Sequence, residues 1–159
     1  GFAAKGGHNK EPHNHNDLGS FILTVGGEQI LTDPGAGTYD SSYFTKEPQH
    51  IILHGHCQQK ALIGTKFMER MLSLPENYSV DVIPSGCCGV AGSYGYERKH
   101  YEMSKKIAHS VLIPAIEKAD YDTIIAAPGT SCREQISHFS KRKAQHPIEV
   151  LYNAIANIK

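Results

Sequence analysis

The 159-residue sequence lacks an excess of charge of either sign, a long apolar run, a leader segment and any repeated or low-complexity stretch. Its 16 acidic and 16 basic residues balance, which gives no case for binding to nucleic acid or to an anionic membrane. No apolar stretch approaches the ~18 residues that a membrane-spanning helix needs. Residues 1–17 carry no basic-then-apolar leader pattern, and the length suits one domain, or one domain plus a fragment.

The sequence also lacks a Cys-x-x-Cys pair, the spacing that usually marks a zinc site. Its four cysteines instead follow short, apolar, β-branched runs that are typical of buried parallel strands. They are Cys57, Cys87, Cys88 and Cys132. Because parallel strands end at one edge of an α/β sheet, where ligands collect, we expect the four thiols to lie together. Soft thiolates select iron–sulfur clusters, zinc or copper(I), and the adjacent Cys87–Cys88 pair suits a cluster with several irons.

From His50 onward the pattern alternates strands with helices and predicts an α/β fold, a small parallel sheet flanked by helices. The expected strands cover residues 50–56, 80–84 and 122–127; the expected helices cover 58–74, 97–119 and 148–158, with one more opening at Thr130 or Ser131 as its N-cap. Pro114 is expected to kink or break the second helix. On the first helix, the buried face is expected to contain Leu62, Phe67, Met71 and Leu74.

The first 48 residues differ from the rest in composition, because they are rich in Gly, His and Asn and contain no cysteine. Two strand-like runs, residues 19–25 and 28–33, flank Gly26-Gly27, which is a two-residue hairpin signal. A lone hairpin of this size is only marginally stable in water. We therefore expect two parts, a β-hairpin segment over residues 1–48 and an α/β domain over residues 49–159.

Plainer interpretations of the cysteines stay open. Disulfides would form in an oxidising compartment, although strand-end placement without a leader favours a reducing one and hence the cytoplasm. The thiols could instead be inert residues that pack the strand ends. The Gly-rich loop after Cys88 could cradle a phosphate, but it lacks the Lys-Ser/Thr ending. Cys57 and Cys132 stand at predicted helix N-termini, where the dipole favours a thiolate, and His54 and His56 are candidates to hydrogen-bond sulfur or to ligate.

Three motifs stand at the predicted strand ends. They are His54-Gly55-His56-Cys57-Gln58-Gln59-Lys60-Ala61-Leu62, Ser85-Gly86-Cys87-Cys88-Gly89-Val90-Ala91-Gly92-Ser93-Tyr94-Gly95-Tyr96-Glu97 and Ala127-Pro128-Gly129-Thr130-Ser131-Cys132-Arg133. Together they closely resemble the cysteine-rich CCG domain, in particular its C-terminal copy in FAD-linked oxidases of the D-lactate and glycolate type. The resemblance implies that the four cysteines are ligands of an iron–sulfur cluster of the 4Fe–4S type. The fullest form of the family pattern ends in Cys-x-x-Cys, whereas Gln135 holds the last place here.

The same resemblance implies electron transfer within an FAD-linked 2-hydroxy-acid oxidoreductase. The chain would pass electrons from a flavin oxidase domain or subunit to a downstream acceptor such as a quinone, with a ferredoxin-like Fe–S segment as a further partner. FAD would be bound by the flavin partner, so the chain alone is not expected to turn over substrate. A quinone acceptor fits a cytoplasmic location that includes the inner face of the membrane.

A second constellation lies in the N-terminal segment. His13 and His15 share a face if this segment is extended, and Asp33 ends the second strand of the hairpin, where it could supply a carboxylate to zinc. Residues 5–21 and 33–39 look like part of the heparinase II/III-like polysaccharide lyases. This likeness implies that His15 and Asp33 are zinc ligands and that His13 lies by the sugar cleft. The plain alternative is a solvated loop that is rich in His and Asn.

The alternative function is thus a fragment of a zinc-containing lyase. It would be inactive alone, because 48 residues cannot build the cleft in which β-elimination places its base and its carboxylate neutraliser. The two resemblances concern unrelated proteins and meet near Pro48, inside the β-sandwich of the lyase. This junction indicates a chimeric chain.

Overall fold

The computed structural model describes residues 2–4, 21–25, 28–31 and 43–155. The chain divides into two compact units, Gly1–Tyr43 and Phe44–Lys159. The division lies close to the predicted boundary at residue 48. Each unit is considered by itself below.

The first unit contains an antiparallel sheet. Its strands, in spatial order, are β1 (Phe2–Ala4), β2 (Phe21–Val25) and β3 (Glu28–Leu31). The predicted hairpin strands pair as β2 and β3, with Val25 opposite Glu28. The Gly26-Gly27 turn, and His13, His15 and Asp33 of the predicted zinc and sugar sites, lie outside the described residues.

The second unit contains a parallel sheet and six α-helices within residues 43–155. Its strands are β4 (Gln49–Leu53), β5 (Tyr78–Val82), β6 (Ile124–Ala126) and β7 (Ala144–Gln145). Its helices are α1 (Cys57–Leu62), α2 (Lys66–Leu72), α3 (Tyr101–Ser110), α4 (Leu112–Lys118), α5 (Thr130–Phe139) and α6 (Pro147–Asn153). The strands lie in the order β5-β4-β6-β7 with all neighbours parallel, which confirms the predicted α/β fold. None of the helices in the described part of the chain is long and apolar enough to cross a membrane.

The two inner strands of the sheet, β4 and β6, are buried on both faces where they pair, because these short apolar strands are flanked by helices. On one face, Ile52 of β4 pairs with Ile125 of β6 and joins the main core cluster. The other buried members of that cluster are Ile83, Cys88, Val90, Leu112, Ile116, Ala127, Cys132 and Ile136. Since side chains alternate along a strand, Ile51 and Leu53 point to the opposite face, and both are completely buried. Two cysteines are therefore part of the apolar core.

The single helix predicted over residues 58–74 is wrong. α1 ends at Leu62 and α2 begins at Lys66, because Gly64 between them adopts a φ of +72°, which no helix can contain. The break changes which residues face the core. Leu62 and Phe67 of the predicted buried face are 74% and 68% exposed, and Met71 and Leu74 are half-buried. Leu72 is the residue of α2 that is fully buried.

Proline explains the other large departure in helix length. The helix predicted over residues 97–119 is replaced by two 3₁₀ turns (Tyr94–Tyr96 and Arg98–His100), α3 and α4. α3 and α4 meet at Val111, whose backbone is not helical, and Pro114 follows in the first turn of α4. Because proline has no N–H to donate to the carbonyl of Ser110, the predicted break occurs just before it.

The last two helices begin with caps of different kinds. α5 has Gly129 as its N-cap, without a side-chain hydrogen bond, so the predicted cap at Thr130 or Ser131 is wrong. α6 begins at Pro147, which the sequence predicts to start this helix in the first-turn position that proline favours, and it ends at Asn153, before the predicted end at residue 158. His146 forms a capping box there: its Nδ1 accepts from Ile148 N at 3.2 Å, and Glu149 Oε2 accepts from His146 N at 2.6 Å.

Candidate functional site

Three loops place the cysteines after neighbouring strands of the parallel sheet. Cys57 follows β4 as the first residue of α1, Cys87 and Cys88 follow β5, and Cys132 follows β6 in the first turn of α5. Backbone hydrogen bonds hold these loops together past the strand ends, from His54 N to Ala126 O and from Ile83 N to Leu53 O, each at 2.9 Å. We call this carboxyl end of the sheet, with its four thiols, the cysteine edge.

Cys88 and Cys132 form a buried pair at the cysteine edge. Their side chains are 3% and 1% exposed. The Cys132 thiol donates a hydrogen bond to the Cys88 sulfur, and this bond, helped by His54 and opposed by burial, lowers the pKa of Cys88 to about 4. The same bond raises the pKa of Cys132, and burial raises it further. The shared hydrogen bond thus favours negative charge on the sulfur of Cys88 and retention of the proton by Cys132.

The helix dipole is one of several influences on Cys132. Cys132 does stand in the first turn of α5, where the helix dipole favours negative charge. The pKa of its thiol is nevertheless raised, because the thiol donates to the sulfur of Cys88 and because it is buried.

The other two thiols are more accessible. Cys57 is exposed, and Cys87 is half-buried with its Sγ accepting a hydrogen bond from Gly89 N at 3.3 Å. Burial raises the pKa of Cys87, and the bond from Gly89 opposes this rise. All four cysteines are free thiols. Within residues 43–155, no three or more His, Cys, Asp or Glu side chains are grouped so that they could hold a metal ion.

His54 is the buried polar side chain of the cysteine edge. The ring is fully buried at the first position after β4, and its Nδ1 lies 2.7 Å from Ser85 Oγ. Its Nε2 is also buried and makes no hydrogen bond in the described part of the chain. The ring is close enough to Cys88 to stabilise the thiolate electrostatically. Sequence reasoning named His54 as a candidate near sulfur, but its link to Ser85 depends on two separate strand ends and has no local signal.

The loop before α5 is shaped by two residues that sequence reasoning did not single out. Arg133 Nη1 donates to Ala127 O at 2.9 Å and to Pro128 O at 2.8 Å, which ties the helix to its own entry loop. Gly129 allows the ring of His56 to pack against this loop, since a Cβ at residue 129 would lie 2.6 Å from His56 Cδ2. The entry to α5 is thus held in one conformation.

Gln135 occupies the position at which the fullest family pattern has its last cysteine. Its side chain is buried, and Nε2 donates to Ser104 Oγ in α3 at 2.8 Å. The amide therefore connects α5 to α3 and adds no thiol to the cysteine edge.

Lys60 fixes the loop that leads into Cys87. Its Nζ donates to the carbonyl oxygens of Ser85 and Gly86, the latter at 3.0 Å. We expect Lys60→Met, which keeps most of the alkyl chain, to lower the free energy of unfolding by about 1–3 kcal/mol. The reason is that two hydrogen bonds from a charged donor to carbonyl oxygens are lost. Urea unfolding would measure this difference. Lys66→Met is the matched control, since the side chain of Lys66 is exposed and makes no hydrogen bond within residues 43–155. Equal midpoints for the two variants would contradict the prediction.

The donor types at the cysteine edge are those that soft metals and iron–sulfur groups take, although the thiols are not grouped around one point within residues 43–155. The lowered pKa of Cys88 favours a thiolate there, thiols follow on neighbouring loops, and the buried Nε2 of His54 is a polar atom without a partner in the described residues. Burial of the Cys88–Cys132 pair in the core cluster also excludes water from one side of such a group. The free thiols leave the disulfide alternative without support at these four positions.

Comparison with known proteins relates part of the chain to dehydrogenases. The chain is 28% identical over 109 residues to a subunit of the anaerobic glycerol-3-phosphate dehydrogenase of Escherichia coli, a match that covers 69% of this chain and 27% of that protein. It is 37% identical over 106 residues to D-2-hydroxyglutarate dehydrogenase of Pseudomonas putida, and 29% identical over 102 residues to the enzyme of that name in Escherichia coli. These matches cover 65% and 64% of this chain and 10% of each enzyme. The chain is related to segments of dehydrogenases.

The extent of these matches shows which part of the chain is related. The match to the Escherichia coli subunit is 109 residues long, and any stretch of this length in a 159-residue chain contains residues 51–109. The matched part therefore includes Cys57, Cys87 and Cys88. The chain spans about a quarter or less of the length of these relatives. A family profile described as "Heparinase II/III-like, C-terminal" matches residues 2–64, which runs past residue 48 through β4 and α1. No solved structure matches the chain.

Proposed function

We propose that the chain is the iron–sulfur-binding, electron-transfer segment of an FAD-linked 2-hydroxy-acid oxidoreductase. Its cluster ligands would be Cys57, Cys87, Cys88 and Cys132. The observation that carries this proposal is the buried Cys88–Cys132 pair, whose sulfurs share a hydrogen bond that lowers the pKa of Cys88, beside two further thiols on the same sheet edge. Such a pair is poorly explained as inert core packing, because the lowered pKa favours an anion inside an apolar cluster.

The relatives support a role in electron transfer rather than in substrate recognition. Their names specify two different substrates, glycerol 3-phosphate and D-2-hydroxyglutarate. A segment that is common to both is better suited to a step that both dehydrogenations need, namely removal of electrons. Flavin and substrate would then be bound by other parts of a longer protein or by a partner subunit. The chain alone would not turn over substrate.

Each residue at the cysteine edge has a definite part in this proposal. A bound cluster would supply one-electron transfer. The lowered pKa of Cys88 favours the thiolate form that ligation needs, whereas Cys87 and Cys132, whose pKa values are raised, would give up their protons on binding, so that cluster uptake would release protons. Gly89 N, which donates to the sulfur of Cys87, would stabilise negative charge on that ligand. Cys57 is exposed, so iron and an electron-transfer partner could approach the cysteine edge from the side of this residue.

The test is iron and sulfide analysis, with a visible spectrum, on the full chain reconstituted under anaerobic conditions. We expect iron, sulfide and a broad visible band in the wild type, and loss of most of the iron in Cys88→Ser. Ser131→Ala is the control, because it removes a hydroxyl beside Cys132 without removing a thiol. Unchanged iron in Cys88→Ser would overturn the proposal.

A second candidate function follows from the heparinase II/III-like profile over residues 2–64. In it, the N-terminal segment is a fragment of a zinc-containing polysaccharide lyase, inactive alone, with His15 and Asp33 as zinc ligands and His13 near sugar. The same metal analysis separates the two candidates. Zinc that is lost in His15→Ala, together with absence of iron, would favour the lyase fragment.

A further inference from the structure

A cavity of about 300 Å³ lies around the starts of β6 and β7. One side of its lining is residues 121–125, which lead into β6, and the other is residues 141–143 with Gln145 of β7. Because the strands are parallel, their starts lie at the end of the sheet opposite to the cysteine edge. Pockets for small molecules span roughly 300–1,000 Å³, so this cavity has room for a small organic ligand.

The lining of this cavity carries more positive than negative charge. Lys141, Arg142 and Lys143 are its basic residues, and Asp122 is its acidic residue. Lys141 and Lys143 are exposed, and neither of them forms an ion pair or a side-chain hydrogen bond within residues 43–155. Asp122 likewise has no ion pair in this part of the chain. The two ammonium groups therefore remain available to an anion.

Arg142 is held in place by the backbone on the other side of the cavity. Its Nη1 donates to Ala119 O at 3.3 Å, and its Nη2 donates to Tyr121 O at 3.2 Å and to Thr123 O at 2.6 Å. Three carbonyl oxygens that would repel an anion are thereby paired with a cation. Because these bonds fix the guanidinium before any ligand arrives, the ordering of this long side chain does not add to the cost of binding.

Tyr121 adds an aromatic surface to the same cavity. Its side chain is 93% exposed although it is large and largely apolar, and its ring centroid lies 5.8 Å from Cζ of Arg142. An exposed ring beside a fixed cation offers a contact for the organic part of a ligand whose charged part is bound by the basic residues.

We propose that this cavity binds a phosphate group that is attached to a small organic body. A guanidinium and ammonium groups are the cations with which proteins bind phosphate, and the volume and the ring of Tyr121 provide for the attached body. The phosphate belongs either to a soluble ester or to the headgroup of an anionic lipid, since both have the same chemistry. The site uses no cysteine, so it is independent of the proposed iron–sulfur function.

The first experiment is a titration of the full, reduced chain with phenyl phosphate, followed by ¹H–¹⁵N NMR spectroscopy. We expect the backbone amide resonances of residues 121–125 and 141–145 to shift, and phenol, which lacks the phosphate, to leave them in place. The dissociation constant should rise with salt concentration, because the two lysines are exposed to solvent. Equal shifts with phenol and with phenyl phosphate would overturn the proposal.

Two double variants test whether the lysines of the cavity bind the phosphate. Lys141→Gln with Lys143→Gln should raise the dissociation constant about tenfold, because two of the three cations of the lining are lost. Lys105→Gln with Lys106→Gln is the matched control, since it removes two adjacent, exposed lysines from α3 and should leave the constant unchanged. All four lysines are exposed, so both variants are expected to fold, and equal urea midpoints would verify this. Equal dissociation constants in the two double variants would overturn the proposal.

Vesicles distinguish the two sources of the phosphate. The chain is sedimented with vesicles of phosphatidylcholine, with and without phosphatidylglycerol. Binding that needs phosphatidylglycerol and is lost in the Lys141–Lys143 double variant, without binding of phenyl phosphate, would identify a lipid headgroup as the ligand. Binding of phenyl phosphate that is weakened in the same variant would identify a soluble ester. Absence of both kinds of binding would overturn the proposal and leave the proposed function unaffected.

Discussion

Replacement of Gly89 by alanine is expected to lower the free energy of unfolding by roughly 2–5 kcal/mol. Of this, roughly 1–2 kcal/mol is the cost of a left-handed backbone conformation for alanine, and roughly 1–3 kcal/mol is the cost of overpacking. Gly89 adopts a φ of +103°, a conformation that L side chains rarely take. A Cβ at this position would also collide with the carbonyl oxygen of Ser104 in α3 and lie 3.0 Å from Nε2 of Gln135. Because backbone atoms of a helix cannot move aside cheaply, we expect displacement of the whole loop that carries Cys87 and Cys88.

Urea unfolding of the metal-free chain measures this effect, and the same loop provides its control. Gly86 has no left-handed φ and no heavy atom within 4 Å of the place that an added methyl group would take, so Gly86→Ala should change the midpoint little. In Gly89→Ala, native-state alkylation should also become faster at Cys88, which is buried in the wild type. Equal stability of the two alanine variants would show that the loop is not confined by α3.

The stability of the metal-free chain is expected to rise with pH because of Cys88. The pKa of this thiol falls from an ordinary 9.0 to about 4 on folding, so that between these values the unfolded chain binds a proton that the folded chain does not. Unfolding is then favoured as the pH falls, with an upper limit of about 1.4 kcal/mol per pH unit for one proton. Above about pH 9 the raised pKa of Cys132 has the opposite effect, because only the unfolded chain then loses that proton.

The measurement is urea unfolding of the reduced chain at several values between pH 5 and pH 8. The wild type and Cys57→Ser should gain stability over this range, and Cys88→Ser should gain much less. His146, whose pKa is lowered mainly by burial, contributes a rise below pH 6.5 in all three proteins, so it cancels in the comparison. An equal pH dependence in Cys88→Ser and the wild type would mean that Cys88 is protonated in the folded chain.

Strand positions were predictable from the sequence, whereas helix lengths were less so. The β-branched runs around Ile52 and Ile125 indicate buried parallel strands, and the structure confirms both. Pro114 predicts the division between α3 and α4. Gly64 gives a weaker signal for the division between α1 and α2, because an isolated glycine is tolerated within a helix unless its φ is positive, and φ cannot be read from sequence.

The cysteine edge shows a similar limit. Placement of the four cysteines after β4, β5 and β6 follows from the strand pattern alone. The protonation of Cys88 and Cys132 does not, because it depends on contact between two sulfurs that come from different loops. The helix-dipole argument therefore missed the direction in which the pKa of Cys132 is shifted. The hydrogen bonds of Lys60 and of Ser85 with His54 are equally non-local, since they join α1 and the first residue after β4 to the loop after β5.

The pairing of β4 with β6 determines when the cysteine edge can form while the chain is being synthesised. Ile51 lies beside Ile124, so these strands meet only after most of the second unit has left the ribosome. Closure over such long sequence separations makes parallel sheets slow to form. The earlier cysteines are therefore dispersed thiols on a growing chain, and the shared proton of Cys88 and Cys132 belongs only to the completed fold. A site that takes its ligands from all three loops is therefore complete only when the sheet has formed.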